Sequence, residues 1–174
     1  LSFASRTDSG VHATGQVATF QSEKQIDTKD LLRAINFHGP NDITIVAATL
    51  ASQNFDPRRD ALQREYIYKI SNAPIRSSLH RNFEVHINKP LNLKAMDIAA
   101  NSLIGRHDFL SFAGPLAPRD KTTIRTINVA TFCRDSDRIK FRISGDGFVH
   151  QQVRRIAGEL IKVGTGKILK EEFE

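Results

Sequence analysis

Apolar and polar residues alternate along three stretches of this chain, and a period of two is typical of strands with one buried face. Residues 63–71 carry one such pattern, with Tyr66 and Tyr68 on the same side. Residues 123–133 and 138–144 carry the other two and are joined by four polar residues, which predicts a β-hairpin. One face of the second hairpin strand is expected to be cationic, with Arg138, Lys140 and Arg142.

Shorter apolar runs predict three further strands. Residues 1–4 and 16–20 flank a polar loop, so this loop is expected to connect two strands. Residues 43–50 form a continuous apolar run, which is typical of a buried strand.

Apolar residues recur at helical spacing in three other segments. These are residues 28–37, with Thr28 as the predicted cap, residues 93–104 after Asn92, and residues 148–163 after a glycine-containing turn. Helices interspersed with hairpin-like strands predict an α+β fold. We expect a mixed, mostly antiparallel central sheet with flanking helices.

Composition narrows the range of functions. The chain has 174 residues, 40% of them hydrophobic, which is enough for one domain or two small halves. No apolar run approaches the roughly 18 residues of a membrane span. A single cysteine, Cys133, excludes an intramolecular disulfide framework and fits a reducing compartment. The histidines are scattered, with no Cys/His cluster at zinc spacing, so no metal site is predicted.

The charge is distributed unevenly along the chain. The net charge is +6, yet residues 1–60 hold 6 Lys/Arg and 7 Asp/Glu. The whole basic excess therefore lies in residues 61–174. Such a localised excess favours a polyanionic partner.

The loop between the first two predicted strands carries the most distinctive chemistry. Arg6 and Asp8 stand two positions apart before Gly10, which favours a turn that presents both side chains together. A nearby guanidinium favours an ionised carboxylate, which suits a nucleophile or an electrostatic stabiliser. The same pattern also fits an aspartate that only satisfies loop amides.

Other candidate residues also have two interpretations. Tyr66 and Tyr68 could both be core side chains whose hydroxyl groups reach solvent. Alternatively, one of the two rings could stack on a base. His107 beside Asp108 has no second catalytic partner nearby, so we do not expect an acid–base site there. Arg154, taken alone, fits surface charge.

Three motifs in order along the chain resemble the TruA family of tRNA pseudouridine synthases. The first is residues 6–13, continued by Gly-Gln-Val at 15–17. The second is Arg-Glu-Tyr-Ile-Tyr at 64–68, and the third is residues 147–158, running on to 163–167. Together they extend over essentially the whole chain.

This resemblance implies a fold of pseudouridine synthase type, with the active cleft between two related halves. We assign residues 1–72 to the half with the aspartate loop and tyrosine strand, and residues 73–174 to the basic half with Arg154. The chain starts at Leu1 inside a predicted strand, and the family's enzymes carry further chain at both ends. Both halves are therefore expected to be partial.

The implied reaction converts uridine to pseudouridine in the anticodon stem-loop of tRNA, without a cofactor or a metal. The resemblance implies Asp8 as nucleophile or deprotonating carboxylate, and Arg6 as the residue that fills the space of the flipped base. It implies that Tyr66 stacks on the uracil and that Arg154 pairs with Asp8. Further substrate-binding residues are predicted to be His12, Gln16, Phe148, Arg58, Arg59, Lys140 and Arg142.

The resemblance also implies tRNA as partner, a homodimer, no membrane and a cytoplasmic location, with an organelle left open. The alternative is a non-catalytic RNA-binding fragment or a degenerate paralogue. Retention of the four catalytic candidates opposes that alternative, whereas the expected missing ends favour it.

Overall fold

The computed structural model of the chain describes residues 1–115 and 122–173. Most of a basic, proline-containing loop predicted at residues 114–121 lies outside the described residues. No helix within the described part is both long and apolar enough to cross a bilayer.

The chain forms two compact units. Unit 1 comprises residues 1–7 and 13–61, and unit 2 comprises Asp8–His12 and Leu62–Glu174. The segment with Asp8 therefore packs with the second unit, although both of its sequence neighbours belong to the first. The predicted division into halves at residues 1–72 and 73–174 stays a prediction.

Unit 1 contains a two-stranded sheet and one helix. Strand β1 (Ser2–Phe3) pairs antiparallel with β2 (Ala18–Thr19), which confirms the two strands predicted on either side of the polar loop. Helix α1 (Thr28–His38) confirms the predicted helix and ends one residue later, before Gly39. Its N-cap is Asp27 instead of the predicted first helical residue, because the Asp27 carboxylate accepts hydrogen bonds from two backbone N–H groups of the first turn.

The strand predicted at residues 43–50 is wrong. The segment joins no sheet in the described structure, and Val46 and Leu50 are 81% and 88% exposed. An apolar run becomes a strand only where another strand supplies ladder hydrogen bonds. Here the side-chain amide of Asn36 replaces one pair of these hydrogen bonds. It accepts from the Ile45 N–H at 2.7 Å and donates to the Ile45 carbonyl oxygen at 2.8 Å.

Unit 2 is built on a five-stranded sheet. Its strands are β3 (Arg64–Ser71), β4 (Val85–His86), β5 (Gly105–Asp108), β6 (Ile124–Asp135) and β7 (Arg138–Gly145). Their order is β4-β3-β7-β6-β5, and only the short, unpredicted pairing of β3 with β4 is parallel. The sheet confirms the predicted α+β class and the mostly antiparallel pairing.

The core of unit 2 lies on one face of this sheet. In the described part of this unit the α-helices are α2 (Leu93–Asn101) and α3 (Gln152–Gly164), and their buried apolar residues join those of the sheet in one hydrophobic cluster. Asn92 caps α2, as predicted. Strand β7 contributes three side chains with no exposed surface, Ile139, Phe141 and Ile143. The opposite face of β7 carries its exposed cations, which confirms the predicted alternation.

Helix α3 begins four residues later than predicted. Gln151 has a positive φ of 61°, a left-handed conformation that interrupts a helix. The Val149 N–H donates to the Gln152 side-chain oxygen at 2.8 Å instead of extending the helix. Residues 148–151 consequently form an irregular connection, and the first turn of α3 carries Arg154.

Candidate active site

A tight turn positions the Asp8 side chain. The Val11 N–H donates to the Asp8 carbonyl oxygen at 3.1 Å, which closes a four-residue turn. Gly10, the third residue, has a φ of +77°, as a type II turn requires at that position. A side chain at Gly10 would be strained in this conformation, so the glycine helps to fix the direction in which Asp8 leaves the turn.

Arg154 contacts this turn with two different atoms. Its Nε lies 3.5 Å from Asp8 Oδ2, and its Nη2 donates to the Ser9 carbonyl oxygen at 3.0 Å. The guanidinium therefore pairs with the carboxylate and also binds the backbone of the residue after it. This is the pairing that the sequence resemblance implied. Because Asp8 is only partly exposed, the ion pair is less screened than one on open surface.

His150 approaches the other oxygen of the same carboxylate. Its Nε2 lies 3.8 Å from Asp8 Oδ1, and its Nδ1 is buried with no hydrogen-bond partner among residues 1–115 and 122–173. Gly114 packs against the ring and donates its N–H to the His150 carbonyl oxygen at 2.8 Å. A Cβ on residue 114 would lie 2.7 Å from Nδ1. The absence of a side chain at Gly114 therefore provides the space for the imidazole ring.

The tyrosines of β3 lie on the same face as the core. Tyr66 meets Phe148 edge to face, with ring centroids 5.1 Å apart and an interplanar angle of 88°. Burial raises the pKa of the Tyr68 phenol, and the nearby positive charge of Arg154 partly opposes that rise. Arg154 therefore connects the Asp8 turn electrostatically with the tyrosine face of β3.

Comparison with curated proteins identifies the family of this chain. The tRNA pseudouridine synthase A of Pelobacter propionicus is 38% identical over 171 residues, which cover 98% of this chain and 70% of that protein. The chain belongs to the tRNA pseudouridine synthase A family. A model of the family described as tRNA pseudouridine synthase matches residues 99–174. The enzymes of this family are isomerases.

Two Bacillus relatives lead to the same assignment. The tRNA pseudouridine synthase A 2 of Bacillus cereus (strain ATCC 14579) is 37% identical over 164 residues, covering 94% of this chain and 66% of that protein. The protein of the same name from Bacillus anthracis is 36% identical over 167 residues, covering 96% and 68%. The chain thus spans about two thirds of the length of these tRNA pseudouridine synthase A relatives.

Two other residues that the family resemblance implied have local partners. The exposed His12 ring stacks on Phe83, with centroids 4.5 Å apart and an interplanar angle of 29°. The Gln16 side chain donates to the Ser5 carbonyl at 2.8 Å and accepts from the Val17 N–H at 3.2 Å, so it braces the ends of the loop in unit 1. Arg6 is an exposed residue of unit 1.

The cations predicted on β7 lie on the other face of the sheet. Tyr68 is directly paired with Phe141, so the tyrosines share the buried face of β7, whereas Lys140 and Arg142 are exposed on the opposite one. Arg142 also donates two hydrogen bonds to Glu65, at 2.7 and 3.0 Å. This pairing lowers the pKa of Glu65 and raises that of Arg142. The sheet therefore separates Lys140 and Arg142 from the tyrosine face.

Arg58 and Arg59 lie in an ordered turn of unit 1. The Asp56 carboxylate accepts both of their backbone N–H groups, at 2.8 and 3.0 Å, and these bonds lower its pKa. Asp56 also lies 3.6 Å from the Arg59 guanidinium. Both arginines remain exposed.

Within residues 1–115 and 122–173, no group of three or more metal-ligating side chains comes together. Sequence reasoning missed His150, Phe83 and the proximity of Tyr68 to Arg154. His150 stands four residues before Arg154 inside the third family motif, so it was visible as part of that motif. Phe83 lies in a segment without a periodic pattern and carried no signal of its own.

Proposed function

We propose that this chain converts uridine to pseudouridine in the anticodon stem-loop of tRNA, with Asp8 as the catalytic carboxylate. The observation that carries the proposal is the placement of Asp8, held on a glycine turn with Arg154 at one oxygen and His150 at the other. A carboxylate fixed in this way suits a reaction in which a charge must be presented to one atom. Membership of the tRNA pseudouridine synthase A family supports the choice of substrate.

The reaction is an isomerisation and needs no oxidant, reductant or energy source. The bond between N1 of uracil and C1′ of ribose breaks, the base rotates, and a bond forms between C5 and C1′. The proton on C5 is lost and N1 gains one, so the atoms balance. An ionised carboxylate can serve as the nucleophile or as the base that deprotonates the sugar, and both routes place Asp8 at the reacting centre.

The neighbouring residues supply the other requirements. Arg154 orients Asp8, since its guanidinium binds both the carboxylate and the turn backbone. The Tyr66 ring, supported edge-on by Phe148, stacks on the uracil after the nucleotide leaves the helix. Arg6 fills the space of the flipped base. Extrusion of a nucleotide costs a few kcal/mol, which such pocket contacts offset.

RNA binding is assigned to exposed polar and cationic residues. Gln16 shapes the catalytic loop, His12 contacts the RNA beside it, and the phosphate backbone meets Arg58, Arg59, Lys140 and Arg142. Such contacts make affinity fall steeply as salt rises. As the family resemblance implies, the protein acts as a homodimer in the cytoplasm; sedimentation of the free protein tests the first point and localisation of a tagged chain the second.

Replacement of Asp8 tests the catalytic role. We expect Asp8→Asn to lower the rate of pseudouridine formation on an anticodon stem-loop transcript about 10³-fold or more, because the amide has the same shape without the charge. Asp42→Asn is the matched control, since Asp42 is an exposed carboxylate on another loop. Pseudouridine is measured by chemical modification and primer extension of the product RNA.

Two outcomes would contradict the proposal. If Asp8→Asn keeps full turnover, another group performs the chemistry. If the parent chain makes no pseudouridine but binds the stem-loop with a steep salt dependence, the non-catalytic RNA-binding alternative is correct.

A further inference from the structure

A stacked pair of rings lies beside the Asp8 turn. His12 follows the turn directly, and its ring stacks on Phe83 with centroids 4.5 Å apart and planes 29° from parallel. Four residues of extended chain span at most roughly 14 Å, and the turn shortens this path, so the pair lies close to the carboxylate. The two rings thus lie next to the turn that holds Asp8.

The pair leaves flat aromatic surface open to solvent. Phe83 is 52% exposed and His12 is also exposed, although each ring covers one face of the other. Near-parallel rings present their outer faces in the orientation that a third ring needs to continue the stack. By contrast, a second exposed Phe–His pair, Phe37 with His38, meets edge to face at 90° and offers no continuous stack.

The backbone around Phe83 is anchored, so its ring is held in place before any ligand binds. The Phe83 N–H donates to the His80 carbonyl oxygen at 2.9 Å, which closes a turn. The next residue, Glu84, has a nearly buried side chain 3.8 Å from the Arg138 guanidinium. Strand β4 then begins at once and pairs with β3. A prearranged ring loses little conformational freedom on binding.

Positive charge accompanies the aromatic surface. Arg76 and Arg81 are exposed and lie on the same short segment as Phe83. The Arg81 guanidinium makes one bond, at 3.3 Å, to the Ser78 carbonyl oxygen. Aromatic rings interleaved with cations are the usual surface for single-stranded nucleic acid, since rings stack on bases while cations meet phosphates.

We infer that His12 and Phe83 form a stacking surface for the nucleobase adjacent to the target uridine. This inference rests on the proposed function, because it places an RNA strand at Asp8. When the target nucleotide leaves the stack, its neighbour loses a stacking partner. The His12–Phe83 pair replaces that partner and fixes which nucleotide enters the site. Every base has a π face, so the surface should bind whichever base lies next to the target uridine, independent of the RNA sequence.

The test couples a protein change to an RNA change. Binding of the anticodon stem-loop is measured by fluorescence anisotropy for the parent and Phe83→Ala, on intact RNA and on RNA with an abasic residue at either nucleotide flanking the target. We expect Phe83→Ala to weaken binding of intact RNA roughly 5- to 150-fold, the range for loss of one base–aromatic stack. The same variant should lose almost nothing on one of the two abasic RNAs, since the stacked base is already absent.

Two further variants provide controls. Phe83→Tyr keeps the ring and should bind intact RNA like the parent. Phe37→Ala removes a phenylalanine that is even more exposed, at 82% on α1, and should leave binding unchanged. Circular dichroism verifies folding, and Phe83→Leu replaces Phe83→Ala if that variant does not fold.

The outcomes separate this inference from the proposed function. Equal weakening by Phe83→Ala on intact and abasic RNAs, no weakening on intact RNA, or absence of RNA binding by the parent would each overturn the stacking surface. If the parent makes pseudouridine but Phe83→Ala weakens binding of intact and abasic RNA equally, the stacking surface is excluded and the proposed function stands. If Phe83→Ala weakens binding of intact RNA only, but the parent makes no pseudouridine, the stacking surface stands and the proposed function is excluded.

Discussion

At the scale of single residues, Arg154 is the side chain on which the site depends most. It binds the Asp8 carboxylate through Nε and the Ser9 carbonyl through Nη2, so two atoms of one planar group fix both the charge and the backbone of the turn. A lysine ammonium is a single point charge on a flexible chain and cannot reproduce this geometry.

Conservative replacement of Arg154 should therefore be damaging. We expect Arg154→Lys to lower the rate of pseudouridine formation about 10- to 100-fold, as for loss of a charge-assisted hydrogen bond at a reacting group. Arg155→Lys is the matched control, since Arg155 is the exposed neighbouring residue of α3, and should leave the rate unchanged. Equal rates for both variants would show that charge alone suffices at position 154.

Tyr68 gives the site a measurable response to pH. Burial raises its pKa above the ordinary value of 10.0, so the folded state favours the neutral phenol. The contribution of the neutral phenol to the free energy of unfolding is therefore complete below pH 10, and it is lost as pH rises through the folded pKa. The chain has two tyrosines and no tryptophan, so tyrosinate absorbance follows them directly. We expect Tyr68→Phe to remove a late-titrating step and to flatten the alkaline decline in stability. An unchanged titration curve would contradict this.

The residues of the site differ in how far the sequence could predict them. Asp8 and Arg154 stand in distinctive motifs, so their pairing was predictable although nearly the whole chain separates them. Phe83 could not be found, because its role depends on a ring contact with His12 that no local pattern encodes. The cations of β7 followed correctly from alternation. That they lie on the opposite face from the tyrosines depends on strand register, which the sequence alone did not fix.

At the scale of elements, α2 and α3 pack closely at the end of α3. Gly164 is the last residue of α3, and its carbonyl accepts a hydrogen bond from the Asn92 N–H at 2.9 Å. Met96 and Leu91 surround the position that a Cβ would occupy, and both are buried. The absence of a side chain at Gly164 therefore allows the two helices to meet.

A methyl group at Gly164 should destabilise unit 2. We expect Gly164→Ala to lower the free energy of unfolding by about 1–3 kcal/mol, because a packed core does not accept extra volume without displacement. Gly158→Ala has the opposite sign: the glycine is exposed within α3, a Cβ there meets nothing within 4 Å, and alanine should add about 0.5–1 kcal/mol. Urea denaturation followed by circular dichroism measures both. Equal effects of the two variants would show that the helices move apart freely.

The elements that the sequence predicted are those whose partners are local or periodic. The hairpin of β6 and β7 followed from alternation and a short polar turn, and α2 followed from its Asn92 cap. Residues 43–50 were misassigned because hydrophobicity alone does not supply a pairing strand. Helix α3 was started too early because one left-handed residue, Gln151, outweighed an otherwise helical pattern.

At the scale of the whole molecule, the basic charge is divided between surfaces. Lys140 and Arg142 lie on the sheet face opposite Tyr68, and Glu65 neutralises much of the charge of Arg142. Lys140 is thus the clearer probe of that face. An RNA small enough to contact only the tyrosine side cannot reach across a sheet, whereas a whole tRNA has further arms that can contact another face.

The salt dependence of binding distinguishes these two cases. We expect Lys140→Gln to leave the slope of log K against log salt unchanged for the isolated stem-loop. With full-length tRNA the slope should fall by about 0.7–0.9, the value for one phosphate contact. Filter binding over a series of salt concentrations measures both. An unchanged slope with full-length tRNA would exclude Lys140 from the RNA interface.

The pairing of Asp8 with Arg154 also determines when the site comes into existence. Ser9 and Arg154, joined by a hydrogen bond, are 145 residues apart. Closing a loop of that length costs conformational entropy before the contact is gained, so local hairpins and helices form first. At ordinary rates of synthesis Asp8 is added to the chain about 7 to 30 seconds before Arg154. A nascent chain therefore carries Asp8 before its guanidinium partner has been synthesised, and the paired site can form only after residue 154 has been added.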